Sequence, residues 1–141
     1  MNVVKLTENA IIPTKGSKEA AGFDLYSNNT FTIPAGATLK VTTGIAMEIP
    51  SGTFGALFAR SGLATSQGLR PANCVGVIDS DYRGEIIVAL HNDSSETRVV
   101  ESGERIAQLV IIPYLTEIEL NEVIQLDDTQ RGTGGFGSTG K

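Results

Sequence analysis

Short β-prone runs recur along this chain, cut by turn residues at intervals of about ten positions, and this pattern limits the fold more than anything else in the sequence. Phe31-Thr32-Ile33 stops at Pro34-Ala35-Gly36, residues 39–43 follow, and residues 45–49 alternate up to the turn Pro50-Ser51-Gly52. Residues 74–78 and 85–90 flank the polar stretch Asp79-Ser80-Asp81-Tyr82-Arg83-Gly84, and the expected strands end with residues 97–100, 105–112 and 122–126. Pro presets one turn dihedral and Gly supplies the positive φ that others require, so each cluster ends a strand for a physical reason. No twelve-residue segment shows a capped helical period. The expected fold is therefore all-β, a sandwich or barrel. With 141 residues, 40% of them hydrophobic, and no internal repeat or linker, the chain builds one core and one domain, 1–141.

Several function classes are disfavoured at once. A formal net charge of −5 does not suit non-specific nucleic-acid binding, which needs a basic face. Cys74 and His91 are each the only residue of their type, so disulfide, zinc and Ser-His-Asp or Cys-His chemistries find no support. Cys74 itself, in an apolar run, reads as a small core residue. The longest apolar run, residues 109–113, is too short to span a bilayer, and the N-terminus lacks the apolar stretch and cleavage site of a signal peptide. A soluble, intracellular protein is expected. Between Lys40 and Lys141 every cation is an arginine: Arg60, Arg70, Arg83, Arg98, Arg105 and Arg131. The guanidinium fork suits bidentate phosphate recognition, although each of these arginines could equally serve a surface ion pair.

The C-terminus differs from the rest. Residues 131–141 are glycine-rich with one aromatic, Phe136, and too few apolar groups to pack alone, so a mobile arm is expected over residues 126–141. Gly132, Gly134 and Gly137 match a dinucleotide-binding spacing, and Gly135 to Gly140-Lys141 matches most of a P-loop. Both motifs need a helix whose N-terminus faces the phosphates, and the sequence given runs only four residues past Gly137. Glycine amides that wrap a phosphate held elsewhere in the protein are the more plausible use.

Five segments in order are similar to the five motifs of the homotrimeric dUTPases: Ala21-Gly22-Phe23-Asp24-Leu25, Arg60-Ser61-Gly62-Leu63-Ala64, the stretch from Gly76 to Gly84, Arg105-Ile106-Ala107-Gln108-Leu109, and the tail from Arg131 to Gly140. The resemblance implies a distorted jelly-roll fold, a homotrimer, and hydrolysis of magnesium-bound dUTP to dUMP and pyrophosphate. It implies that Asp79 activates the attacking water, as suits a site without histidine. Tyr82 would pack on the deoxyribose and exclude a 2′-hydroxyl. Asn73 would read the uracil edge, since an amide offers both a donor and an acceptor. A hairpin around Asp79 would bring the backbone of Val77, Ile78 and Ile87 to the base.

The same resemblance places Arg60, Ser61 and Gly62 on the phosphates, with Ser61 near the leaving group. Gln108 would bind the α-phosphate or orient the water, and Arg131, Gly137 and Ser138 would hold the terminal phosphate while Phe136 covers the uracil. Asp24 is either structural or in contact with a magnesium-bound water, and Mg²⁺ would be held mainly by the triphosphate and waters. Ala59 stands where the family usually has proline, Phe23 replaces a more usual Tyr or Leu, and Arg70-Pro71 is unusual. Two rivals share the fold. A dCTP deaminase typically carries a second serine after the motif's Arg-Ser, where this chain has Gly62. A nucleotide-sensing or partner-binding protein could dispense with Asp79 or the tail, and both are present.

Overall fold

The computed structural model describes residues 1–136, and these form eleven strands: β1 (Val3–Lys5), β2 (Phe23–Tyr26), β3 (Phe31–Ile33), β4 (Thr38–Thr42), β5 (Ile45–Met47), β6 (Thr53–Phe58), β7 (Leu69–Pro71), β8 (Gly76–Ile78), β9 (Ile87–Asn92), β10 (Arg98–Val100) and β11 (Arg105–Pro113). A single wide helical turn, Leu63–Gln67, is the one helical element among the described residues. The architecture is all-β, as expected from the turn spacing, and consistent with the jelly-roll-like form that the motif resemblance implies.

Two sheets carry most of the structure. One runs β2-β11-β6-β8 and the other β4-β9-β7, and the pairs β1-β5 and β3-β10 complete the fold; every strand pairing is antiparallel. The central strand β9 alternates between buried and more accessible residues, turning Val88, Leu90 and Asn92 inward. On the other sheet Leu25, Ile106 and Leu109 face the same core, and all of these apolar side chains are at most 1% exposed. Each such side chain contributes about 1.5–3 kcal/mol by leaving water.

On β11, Ile106 and Ala107 are consecutive yet both buried, which regular alternation forbids. The β11–β2 register shifts between Arg105 and Ala107, and this bulge supplies the extra residue. Gly55 lies mid-strand in β6, a placement that weakens a strand reading from sequence. A side chain there would bring its Cβ to 2.8 Å from Leu109 Cδ1, so the glycine lets β6 lie close on β11.

Asn92 is fully buried and satisfied. Its amide nitrogen donates to Ile33 O (2.9 Å) and Glu96 O (2.8 Å), while its side-chain oxygen accepts from the amide and hydroxyl of Ser94 (3.0 and 2.7 Å). Asn92→Ala strands buried polar partners and should destabilise the fold by roughly 2–4 kcal/mol. The urea midpoint at fixed protein concentration checks this, and an unchanged midpoint contradicts it.

Two expectations from sequence are corrected here. Residues 122–126 form no strand, and Val123, Ile124 and Leu126 are 57%, 107% and 81% exposed. A strand needs an edge to pair with, and no strand among the described residues pairs with that run. Cys74 is exposed rather than in the core: it sits at φ 61° in the turn after β7, its amide donating to Pro71 O at 3.2 Å.

Candidate active site

The polar stretch that follows β8 opens a pocket. β8 pairs with β6 in one sheet and β9 pairs with β4 and β7 in the other, so the two strands that flank Asp79 are not the paired hairpin expected from sequence. They splay apart into different sheets. Between them lies an open pocket of about 490 Å³, lined by Val77, Ile78, Asp79, Asp81, Tyr82, Arg83, Glu85 and Ile87. β8 is the edge strand of its sheet, so its outer backbone N–H and C=O groups are free to bind a flat polar ring there; β9 is central in its own sheet, but β7 pairs with it only at Leu90, His91 and Asn92 and not at Ile87. Val77 and Ile87 are exposed on the two walls, and Asp79 is exposed at the rim.

The loop that holds Asp79 is shaped by its neighbours. Arg83 Nη1 donates to Ser80 O at 2.7 Å and to Tyr82 O at 3.0 Å. Tyr82 donates its hydroxyl to Glu85 O at 2.9 Å, and its ring crosses Gly84 so closely that a Cβ there would meet Cζ at 2.6 Å. Below the loop Ile86 is buried, its amide donating to Ile45 O at 2.9 Å, and Thr43 Oγ1 donates to Ile86 O at 2.5 Å. An exposed functional loop thus stands on a rigid base.

A second, smaller pocket of about 210 Å³ is lined by Asp24, Arg60, Ser61, Gly62 and Gln108. Sheet register assembles it: Gln108 on β11 lies opposite Asp24 on β2 and opposite Phe58 on β6, and Arg60 follows two residues after β6 ends. Asp24, with its side chain 15% exposed, receives Arg60 Nε at 3.0 Å and Arg105 Nη1 at 3.3 Å, so one carboxylate orients two guanidinium groups. Arg60 Nη1 also donates to Arg105 O at 3.3 Å, and Gln108 Nε2 to Ala59 O at 2.9 Å. Ser61 and Gly62 are exposed just ahead of the helical turn, which Leu63 anchors in the core. Thr65 Oγ1 donates to Ser61 O at 2.6 Å, and Ala64 N to Arg60 O at 3.0 Å.

The site residues expected from sequence therefore fall into separate groups within one chain. Val77, Ile78, Asp79, Tyr82 and Ile87 share the first pocket, and Asp24, Arg60, Ser61, Gly62 and Gln108 share the second; the two lists have no residue in common. Asn73 sits in the exposed turn between β7 and β8 and lines neither pocket, although its amide nitrogen is 3.4 Å from where a Cβ on Gly76 would stand. Arg131 and Phe136 also line neither: Arg131 Nε donates to Gly134 O at 2.9 Å, and Phe136 projects into solvent. Gly137 and Ser138 lie outside the described residues. Arg105, Arg83 and Glu85 were not singled out as site residues from sequence, and only side-chain geometry reveals them.

The remaining arginines are structural. Arg70 forks onto Asp93, with Nη2 at 3.1 Å from Oδ1, and the hydrogen bond and charge of Asp93 hold its pKa above the usual arginine value. Arg98 Nε donates to Gln67 O at 3.0 Å and Ser94 Oγ at 3.2 Å.

The motif order that suggested a family is matched by independent similarity. The family model described as dUTPase matches residues 8–140. The chain belongs to the dUTPase family. It is 48% identical to the deoxyuridine 5′-triphosphate nucleotidohydrolase of Nautilia profundicola over 141 residues, all of this chain and 99% of that one. Its fold superposes on the dUTPase of Staphylococcus bacteriophage 80alpha, solved with dUPNHPP, at a TM-score of 0.87 and 31% identity, covering 99% of this chain and 98% of that one. The dUTPase of the S. aureus phage phi11, whose structure details coordination of a structural Mg(II) ion, gives a TM-score of 0.83 at 27% identity over 90% of this chain and 98% of that one. For this dUTPase-family chain, no helix among the described residues is long and apolar enough to cross a membrane.

Proposed function

We infer that this protein hydrolyses dUTP to dUMP and pyrophosphate, and the observation that carries the reading is the wedge between β8 and β9, with Asp79 at its rim and Tyr82 on its wall. Uracil inserts into this wedge and bonds to the backbone of Val77, Ile78 and Ile87, while Asn73 reads the remaining edge. Tyr82 packs on the deoxyribose. Asp79 takes a proton from a water, whose oxygen attacks the α-phosphorus; the bond from that phosphorus to the bridging oxygen breaks and pyrophosphate leaves. Ser61 donates to the departing oxygens, Gly62 lets the backbone approach, and Arg60 and Gln108 position the α- and β-phosphates. Dependence on Asp24 follows from its grip on Arg60.

Among the described residues no three His, Cys, Asp or Glu side chains converge as a metal site, and the Asp24 carboxylate is already engaged by two arginines. This fits Mg²⁺ held mainly by the triphosphate and waters, since the ion normally keeps several waters. Bound there, it would neutralise phosphate charge. The chain acts as one domain, with residues 126–141 as an arm in which Arg131, Gly137 and Ser138 clasp the terminal phosphate and Phe136 closes over the base. The two pockets share no lining residue, and Arg131 and Phe136 line neither, so a homotrimer in which three chains each supply one part completes the site. An intracellular enzyme acting on a free nucleotide rather than on nucleic acid is the consistent setting.

Pyrophosphate release from dUTP in the presence of Mg²⁺, with weak release from UTP, TTP and dCTP, is the expected result. Formation of dUTP or dUMP from dCTP would instead support a deaminase. Binding of dUTP without turnover would support a sensor.

A further inference from the structure

We propose that Glu85 is a positioning residue for sugar discrimination: it fixes the Tyr82 ring and so sets the preference for deoxyribose over ribose. The inference rests on the dUTPase reading above and concerns a residue that stands outside the substrate contacts assigned there.

Glu85 makes two bonds in opposite directions. Its carboxylate accepts the Gly44 amide at 2.7 Å, and its backbone carbonyl accepts the Tyr82 hydroxyl at 2.9 Å. Gly44 lies in the turn between β4 and β5, which is tied to the core through buried Thr43 and Ile45. The carboxylate therefore fastens the start of β9 to a rigid part of the scaffold, and the carbonyl passes that restraint to the ring. Without it the ring has little to hold it. Tyr82 is 43% exposed, it lies on the wall of the pocket, and its close neighbour is Gly84, which has no side chain to brace it. A ring that excludes a hydroxyl by contact must be held to within about half an ångström, because a group free to swing aside rejects nothing.

The distinguishing measurement is the ratio of kcat/KM for dUTP to that for UTP. Glu85→Ala removes the clamp, and Tyr82→Phe removes the other end of the same link while leaving the ring. Each should lower the ratio by about tenfold or more, mainly through better use of UTP. Glu85→Gln retains an acceptor for the Gly44 amide and should keep the ratio within about twofold of the parent. The double variant Glu85→Ala/Tyr82→Phe should be no less selective than the worse single one, since both act on one link. A purely structural role for Glu85 would reduce the active fraction and lower both rates together, leaving the ratio where it was.

An unchanged ratio in Glu85→Ala, or a fully additive double variant, overturns the proposal. If Glu85→Ala does not fold, an unchanged ratio in Tyr82→Phe overturns it alone. A parent protein that does not hydrolyse dUTP at all marks failure of the functional reading instead.

Discussion

Asp79→Asn should lower kcat for dUTP by about 10²–10⁴-fold, the scale expected when a general base is lost. The amide keeps the size and shape of the carboxylate but cannot accept the water's proton at neutral pH. Asp79 is exposed at the pocket rim and makes no side-chain hydrogen bond within the described chain, so the substitution breaks no packing. Folding should be unaffected, and so should substrate binding, because removing one negative charge near a triphosphate opposes nothing. The change must therefore appear in kcat rather than in KM. Single-turnover kinetics with dUTP, alongside binding of a non-hydrolysable analogue, separates the two. Parent-like turnover would show that the water is activated by another group.

Mixing two inactive variants should restore activity. One is Asp79→Asn, which lacks the base, and the other is a truncation that ends at Gln130, which lacks the clasp and the uracil cover. Each homotrimer should be nearly inert alone. If the pocket that holds Asp79 and the arm come from different chains, some sites in a mixed trimer receive Asp79 from the truncated chain and an arm from the Asn variant. With random mixing at equal amounts, each condition is met half the time, so about a quarter of the sites are complete. If one chain supplied both parts, every site would lack one of them. The measurement compares dUTP hydrolysis by the co-refolded mixture with the sum of the separate variants, with heterotrimers verified by capture of a tagged chain. Activity no greater than that sum, with heterotrimers present, would falsify the shared site while leaving the dUTPase reading intact. The exposure of residues 122–126 and of Phe136 is what such an arm looks like in a lone chain.

Turn chemistry is local, and that is why so much of the strand order was legible. Pro34-Ala35-Gly36 and Pro50-Ser51-Gly52 end strands wherever they occur, and residues 31–33, 45–47 and 98–100 are strands where the β-prone runs had put them. The motif residues were legible for a different reason: a polar stretch such as Asp79 to Gly84 between two apolar runs reads only as a loop, and the resemblance of five ordered segments to a family is what attached chemistry to it. Failures came where the deciding partner is distant in sequence. β6 went unrecognised because Gly55 weakens its pattern, and only the close approach of Leu109 explains that glycine. Residues 122–126 have strand composition but no edge to join among the described residues, a fact that composition does not contain.

The sequence by itself determined the all-β class and the single core, which follow from residue types and short-range spacing, and its ordered motifs pointed to the family and, through that resemblance, to the residues proposed to carry chemistry. Only the tertiary structure decided how those residues are used together. It separated β8 from β9 into two sheets and so made a pocket where a hairpin was expected. It set Asp24 between Arg60 and Arg105, 36 and 81 residues away, and tied Glu85 to Gly44 across 41. Charge pairing and hydrogen bonding act over a few ångströms of space whatever the separation along the chain, so partners that folding alone brings together leave no periodic trace in the sequence.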